Sequence, residues 1–91
     1  MFYLLEYDYV PDILERRDAF RADHLAKAQT LFEQQKIHMA GASGDPVNGA
    51  VFIFKNVEQA EIREFVATDP YVLNDLVTDW RIIPWSVVIG Q

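Results

Sequence analysis

The sequence predicts a single α+β domain, residues 1–91, in which the elements follow the order β-α-β-β-α-β. The chain is one domain long, and 51% of its residues are apolar, which is enough for a packed core. Four short apolar runs are typical of strands: 2–9, 37–42, 50–55 and 80–89. Two longer stretches with helical periodicity separate them. This order is the split βαβ, or ferredoxin-like, pattern, with two helices on one face of a four-stranded antiparallel sheet.

The first strand and a long helix are predicted in the N-terminal third. Residues 2–9, FYLLEYDY, are rich in aromatic side chains, which favours a strand. Pro11 suits a first helical turn, and Asp12 with Glu15 three residues later has the spacing of a capping box. We therefore expect one long helix after Pro11 that ends at about Gln35.

A β-hairpin and a second helix are predicted next. The runs IHMAGA at 37–42 and AVFIFK at 50–55 flank SGDPVNG, which is dense in turn-forming residues. Asn56, with Gln59 three residues later, is expected to cap a helix from 57 to about 68.

The closing strand is predicted at 80–89, WRIIPWSVVI. Pro84 cannot donate a ladder hydrogen bond, so this strand should lie at a sheet edge or carry a bulge there. This strand, like 2–9 and 50–55, has apolar residues at both parities, so the sheet face away from the helices also needs a cover. A second copy is the simplest cover. We expect a homodimer packed sheet to sheet, in a dimeric α/β-barrel type of packing.

Composition excludes several classes of protein and site. The chain has no cysteine, which excludes a disulfide scaffold and a thiolate metal site. Its formal net charge of −6 argues against a nucleic-acid partner. No apolar run reaches membrane-spanning length, and the N-terminus lacks a basic lead-in, so we expect a soluble, cytoplasmic protein with no membrane partner. His24 and His38 lie on different predicted elements, and no glycine-rich phosphate loop opens a helix, so neither a metal nor a cofactor is expected.

The long helix carries polar residues on its apolar stripe. At about 100° per residue, Arg17, Arg21 and His24 share one arc with four apolar residues. Those four are Ile13, Phe20, Ala28 and Leu31. Burying a guanidinium or an imidazole without a partner costs several kcal/mol. These side chains should therefore meet water, a carboxylate or a ligand.

Asp69 is a carboxylate at a predicted helix end, where cations are favoured. It continues the inward stripe of Ile62, Phe65 and Val66, and Pro70 disfavours helical geometry at Asp69. Residues that break local rules tend to mark functional sites. The alternative is a purely structural core network, because Asp-Pro is a common turn element and an Arg–Asp pair can be structural.

Four segments resemble the YciI-like family, the YCII-related domain. They are RRDAFRADHL at 16–25, AGASGDPVNGAVFIF at 40–54, DPYV at 69–72 and IIPW at 82–85. They occur in the family's order and spacing and cover nearly the whole chain. The combination of Arg-x-x-x-Arg-x-x-His-Leu with Asp-Pro-Tyr is the specific part of the resemblance.

The resemblance implies a ferredoxin-like fold, a dimer and an active site with a histidine and an aspartate. These two correspond here to His24 and Asp69, and the family's arginines correspond to Arg17 and Arg21. Some members resemble dehydrochlorinases that act on chlorinated hydroxyquinols, whereas others look like accessory domains.

The expected chemistry is proton transfer. His24 would act as general base or acid, and Asp69 would fix its tautomer. Arg17 and Arg21 would hold a phenolate, enolate or carboxylate oxygen of a substrate. Tyr71 is a candidate hydrogen-bond donor at the rim, with ordinary packing as its alternative role.

Two functions stay open at this point. One is a small-molecule enzyme, a lyase or isomerase, that carries out elimination or isomerisation on an oxygenated or aromatic substrate. The other is a non-catalytic dimeric module that binds a metabolite or a protein.

Overall fold

The computed structural model describes residues 1–90 and has the predicted order of strands and major helices. Its elements are β1 (Phe2–Tyr9), α1 (Ile13–Arg16), α2 (Asp18–Glu33), β2 (Ile37–Ser43), β3 (Gly49–Lys55), α3 (Gln59–Thr68), α4 (Pro70–Leu73) and β4 (Val77–Trp85). The strands form one antiparallel sheet in the order β2-β3-β1-β4. The ferredoxin-like α+β fold is therefore confirmed. Among residues 1–90, no helix has both the length and the apolar character that crossing a membrane requires.

The main core lies between one sheet face and the helices. Strands β1 and β3 contribute alternate side chains to it, and α3 contributes its inward stripe of Ile62, Phe65 and Val66, as predicted. The strand residues of this core are Leu5, Tyr7, Ala50, Phe52 and Phe54, together with Ile37 from β2. Fully burying a large apolar side chain stabilises the fold by roughly 1.5–3 kcal/mol, so this cluster fixes α3 firmly on the sheet.

Helix α2 is held in a different way. Within the described chain it buries a single residue, His24, while Ala28 and Leu31 are only partly covered. Leu25 and Phe32, at the border of its predicted apolar stripe, are 46% and 52% exposed. The position of α2 therefore depends on the contacts of the His24 imidazole as well as on apolar packing.

The expectation of one long helix with an Asp12 capping box is wrong. The helical path is interrupted at Arg17, because the Phe20 N–H donates to the Arg17 carbonyl three residues back and tightens the turn. Asp12 precedes α1, but its side chain makes no cap hydrogen bond and instead lies 3.6 Å from Arg16.

The predicted cap of the second helix is also wrong. Asn56 has a positive φ of 58°, a conformation that asparagine tolerates, and it turns the chain after β3. The capping box is formed two residues later. The Glu58 side chain accepts a hydrogen bond from the Glu61 N–H, and the Glu61 side chain accepts one from the Glu58 N–H.

The closing strand is shifted from its predicted bounds. It begins at Val77, which pairs with Tyr9, and ends at Trp85, which pairs with Phe2 at the start of β1. Beyond Trp85 the neighbouring strand offers no further partner, so the ladder stops there. The edge position inferred from Pro84 is confirmed, because β4 is the last strand of the sheet formed by residues 1–90.

The second face of the sheet, here called the outer face, is largely apolar. Its apolar side chains lie next to one another on adjacent strands. They are Phe2, Leu4, Val51, Ile53, Ile83 and Trp85. Ile83 and Trp85 are 37% and 39% exposed. At one end of this face Arg81 contacts Glu6 at 2.7 Å and Asp8 at 3.1 Å. The outer face is therefore apolar, as the apolar residues at both parities of the strands predicted.

Candidate functional site

Asp69 belongs to two helices at once, which explains a carboxylate at a helix end. It terminates α3 and has an extended backbone, as the residue before a proline should. Pro70 then begins α4, and Asp69 Oδ1 accepts a hydrogen bond from the Tyr71 N–H at 3.0 Å. The unfavourable position at the end of α3 is thus offset by a favourable one at the start of α4.

His24 and Asp69 are in direct contact. Nδ1 of His24 lies 2.8 Å from Oδ1 of Asp69, and the two residues are 5% and 0% exposed. An ionised carboxylate can only accept hydrogen bonds, so Nδ1 carries the proton in this pairing. The second ring nitrogen, Nε2, then carries a lone pair that can accept a proton.

Tyr7 completes the surroundings of Asp69, although it was not among the site residues predicted from the sequence. Its hydroxyl donates to Asp69 Oδ2 at 2.8 Å. Burial raises the pKa of Tyr7 far above its ordinary value, and the charge of Asp69 raises it further, so the hydroxyl remains a donor. The available signal was parity: Tyr7 shares the core face of β1 with Leu5, and a buried tyrosine hydroxyl requires a partner.

Tyr71 packs against His24. The two rings are parallel within 4°, with centroids 3.8 Å apart, and Tyr71 is 3% exposed. Burial raises the pKa of Tyr71 above its ordinary value despite the opposing charges of Arg17 and Arg21. The stacked ring restrains the imidazole plane while the Asp69 carboxylate restrains its rotation.

A cavity of about 250 Å³ adjoins this pair, between α2 and the β2–β3 hairpin. It is lined by Tyr9, Arg17, Arg21, His24, Leu25, Ala28, Ala40, Gly41, Ala42, Ala50, Phe52 and Tyr71. Both arginines are part of this lining, and among residues 1–90 it includes no carboxylate. Asp69 lies behind the wall, shielded by His24.

Arg17 has an unused donor. Its Nε is buried and finds no hydrogen-bond acceptor among residues 1–90. A buried donor left without an acceptor costs roughly 1–3 kcal/mol. The cavity therefore combines the positive charge of two arginines with a buried Arg17 Nε that has no acceptor within residues 1–90.

All five residues singled out in the sequence meet here. His24, Arg17, Arg21 and Tyr71 line the cavity, and Asp69 supports His24 from behind. His38 lies away from this site, with its ring edge-on to Phe2 at 6.0 Å. Within residues 1–90 no group of three or more His, Cys, Asp or Glu side chains could hold a metal ion.

The fold and the site together define a class: a ferredoxin-like α+β domain with a buried His–Asp pair at the wall of a cationic cavity. The chain belongs to the YCII-related domain family, whose model matches residues 1–86. The resemblance seen in the sequence is therefore confirmed at the level of the family.

Several solved structures are similar to this chain. One is a 5-chloro-2-hydroxyhydroquinone dehydrochlorinase from Burkholderia phenoliruptrix in complex with 2,5-dihydroxybenzoquinone, with 24% identity, 94% of each chain covered and a TM-score of 0.79. The structured domain of Caenorhabditis elegans BMY-1 shares 22% identity over 96% of this chain and 98% of its own, with a TM-score of 0.57. A NIPSNAP domain protein from Burkholderia xenovorans shares 13% identity over 99% and 98%, with a TM-score of 0.54. At these identities the likeness concerns the fold. No curated protein sequence matches this chain.

Proposed function

We propose that this protein is a small-molecule enzyme in which His24 and Asp69 carry out general acid–base proton transfer. The reaction would be an elimination or isomerisation of a small oxygenated or aromatic substrate. The observation that carries the proposal is the 2.8 Å contact between His24 Nδ1 and Asp69 Oδ1 at the wall of a cavity. In such a pair the carboxylate orients the imidazole and stabilises its protonated form.

The charges around the cavity support an anionic or enolic substrate. Arg17 and Arg21, which line the cavity, would hold its negative oxygen. No carboxylate among the described residues lines the cavity to oppose this. Tyr71 would contribute to substrate binding by forming part of the wall beside His24.

The size of the cavity supports a single-ring substrate. An apolar cavity of about 150 Å³ can hold benzene, so about 250 Å³ suits one six-membered ring with a few substituents. The ring of Phe52 and the methyl groups of Ala40, Ala42 and Ala50 supply apolar surface for such a ring.

The similar dehydrochlorinase gives this chemistry a specific form, because its ligand is a hydroxylated six-membered ring. In an elimination of this type His24 Nε2 would accept a proton from the substrate. The electron pair left behind forms a new double bond, and chloride departs with its bonding pair. The arginines would stabilise the negative oxygen as it develops. The step releases a proton and a chloride ion and is redox-neutral, so it requires neither an oxidant nor a reductant.

The working unit would be a homodimer in which the outer faces of two sheets pack together. Phe2, Leu4, Ile53, Ile83 and Trp85 form a continuous apolar surface of the kind that interfaces cover. The site lies on the opposite, helical side of the sheet and stays open to a ligand in this arrangement.

The second candidate function is a non-catalytic dimeric module that binds a metabolite or a protein. The same cavity and cations favour it, since they provide anion binding whether or not a proton is transferred. The two functions differ in what His24 does.

Replacing His24 separates the two functions. The assay follows chloride release and absorbance with a panel of chlorinated and hydroxylated hydroquinones, with calorimetry for binding. For an enzyme, His24→Ala lowers turnover by about a hundredfold or more and leaves the oligomeric state intact. For a binding module there is no turnover to lose, and affinity changes modestly.

The matched control is His38→Ala, which removes the other histidine of the chain and should leave turnover unchanged. If the His24–Asp69 pair is purely structural, His24→Ala lowers the melting temperature. The unmodified protein would then show neither turnover nor ligand binding. That outcome would overturn both candidate functions.

A further inference from the structure

We infer that Tyr7 is a positioning residue of the His24–Asp69 pair, because its hydroxyl fixes the plane and charge of the carboxylate that orients the imidazole. The inference rests on the proposed function, in which His24 exchanges protons with a ligand. It gives the pair a third member, anchored in the middle of the sheet.

The hydrogen bonds of Asp69 divide between its two oxygens. Oδ1 accepts from His24 Nδ1 at 2.8 Å and from the Tyr71 N–H at 3.0 Å. Oδ2 accepts from the Tyr7 hydroxyl at 2.8 Å, and residues 1–90 offer it no other donor. Asp69 is 0% exposed, so water cannot take the place of this hydroxyl without a rearrangement. Tyr7 therefore provides the hydrogen bond to one of the two oxygens of the buried Asp69 carboxylate.

Tyr7 is suited to fix a position because it cannot easily move. It lies in the central strand β1, paired with Ala50 on one side and Trp80 on the other. Its ring meets Phe52 edge-on at 5.0 Å, and the residue is 1% exposed. Asp69, in contrast, occupies the junction between α3 and α4. The hydroxyl ties that junction to the sheet across 62 residues of sequence.

The bond also fixes which way the carboxylate faces. With Oδ2 held by Tyr7, Oδ1 is directed at His24 Nδ1, and the imidazole keeps Nε2 for the cavity. Without the hydroxyl, the buried Oδ2 would gain from rotating towards another donor or from binding a proton. Either change weakens the interaction that stabilises a protonated His24.

The test uses the ligand-free protein labelled with ¹⁵N, in the unmodified form and as Tyr7→Phe. Long-range ¹H–¹⁵N spectra report which imidazole nitrogen of His24 carries the proton. In the unmodified protein we expect the uncharged imidazole of His24 to carry its proton only on Nδ1. In Tyr7→Phe we expect a mixture of the Nδ1–H and Nε2–H tautomers. His38 serves as an internal reference whose signals should not change.

The matched control is Tyr3→Phe. Tyr3 lies on the same strand and face, partly buried, and its hydroxyl has no hydrogen-bond partner within residues 1–90. This variant should keep the His24 signals of the unmodified protein. A lower melting temperature for Tyr7→Phe without any change of tautomer would overturn the inference, because it would reduce Tyr7 to a packing residue.

A measurement on the unmodified protein covers the case in which Tyr7→Phe does not fold. The Tyr7 hydroxyl proton should exchange slowly with water and give its own resonance, because it is buried and donates to Asp69. The Tyr3 hydroxyl should give none. The absence of a protected Tyr7 hydroxyl would also overturn the inference.

The kinetic readout keeps this inference separate from the proposed function. We expect Tyr7→Phe to lower kcat about tenfold or more, the size of losing one hydrogen bond to a charged group, with KM changed by less than about twofold. If His24→Ala leaves turnover unchanged, the proposed function fails while the tautomer result stands. If His24→Ala abolishes turnover and Tyr7→Phe changes neither kcat nor tautomer, only the role of Tyr7 fails.

Discussion

At the scale of single residues, the site consists of side chains that violate local preferences and satisfy one another. Asp69 is a poor residue for the end of α3 but caps α4 and accepts three hydrogen bonds. His24 is a polar residue at the most buried position of α2 and gains Asp69 and Tyr71 as partners. Each exception becomes favourable only because the others are present.

Arg17 gives the sharpest prediction at this scale. Replacing it with methionine keeps much of the aliphatic stem but removes the unused buried donor and one of the two cavity cations. We expect Arg17→Met to weaken binding of 2,5-dihydroxybenzoquinone about tenfold or more, as is typical for losing a hydrogen bond to a charged group. Titration calorimetry at low salt measures this directly.

The matched control is Arg16→Met, one residue earlier. Arg16 is exposed and lies 3.6 Å from Asp12 rather than in the cavity, so its loss should leave binding within about twofold. Equal effects of the two substitutions would contradict the anion-binding role of Arg17.

The sequence indicated the residues of the site better than the contacts that hold them in place. Arg17, Arg21, His24 and Asp69 could be found because each interrupts an apolar stripe whose period is visible in the sequence. The bond from Tyr7 could not be found in this way, since it joins residues 62 apart and depends on how β1 lies under the α3–α4 junction. The stacking of Tyr71 on His24 depends on the same tertiary arrangement.

At the scale of secondary-structure elements, periodicity predicted which elements exist, and capping decided where they end. Helix α2 ends in a Schellman motif, with Lys36 N–H bonded to the Leu31 carbonyl and Gln35 N–H to that of Phe32. Gln35 adopts a φ of 61°, which a residue with a Cβ reaches only at a cost.

Gln35→Gly should therefore stabilise the protein. Glycine reaches the left-handed conformation freely, and after allowing for its greater unfolded-state entropy we expect a gain of about 0.5–1 kcal/mol in the free energy of unfolding. Urea denaturation monitored by tryptophan fluorescence measures it. Gln34→Gly, at a φ of −81°, should destabilise instead. A loss of stability in both variants would contradict this account of the helix end.

The first turn of α3 predicts a pH effect. Hydrogen bonds from Lys36, and then from the Glu58 N–H, lower the pKa of Glu61 below its ordinary value. A carboxyl whose pKa is lowered on folding stabilises the native state above its unfolded pKa, and this stabilisation is lost as the pH falls through the folded value. Acidification should therefore reduce stability partly through Glu61.

Glu61→Gln is the test variant for that effect. Urea unfolding followed from neutral pH down to acid should show a smaller loss of stability for this variant than for the unmodified protein. The exposed Glu64, on the same helix, provides the control substitution Glu64→Gln. Identical acid sensitivity of Glu61→Gln and the unmodified protein would contradict the assigned role.

Element boundaries were harder to predict because they depend on partners elsewhere in the chain. β4 ends at Trp85, which pairs with Phe2, the first residue of β1. The segment SVVI at 86–89 is rich in β-branched residues and has the composition of a strand, but in the described structure it has no neighbouring strand to pair with. Asn56 had the right chemistry for a cap, but its left-handed backbone is used to turn the chain out of β3.

At the scale of the whole molecule, the two faces of the sheet have different roles. One face builds the core and carries Tyr7 under the site, and the other leaves a row of apolar side chains uncovered in the single chain. Apolar residues occupy both sets of alternate positions in these strands. From this pattern the sequence correctly predicted a core face and a second apolar face. The symmetry and registry of a dimer depend on a second copy and cannot be read from parity.

A substitution in the centre of the outer face tests the dimer. We expect the unmodified protein to have twice the chain mass in size-exclusion chromatography with light scattering, and Ile53→Asp to shift it to a single chain, because a charge would be buried without a partner. Leu73→Asp is the matched control on the helical side, where Leu73 is 64% exposed. A single-chain mass for the unmodified protein at all concentrations would contradict the proposed assembly.

The most direct test of proton transfer by His24 is hydrogen exchange at carbon in a bound ring. In heavy water, the ring hydrogens of 2,5-dihydroxybenzoquinone exchange when a ring carbon is protonated and then deprotonated, so loss of their ¹H signal measures acid–base catalysis without requiring a complete reaction. We predict that the unmodified protein accelerates this exchange at least about a hundredfold over buffer, and that His24→Ala returns it to the buffer rate while still binding the quinone. An unmodified protein that binds the quinone but exchanges it no faster than buffer, or a His24→Ala variant that is equally fast, would contradict the claim.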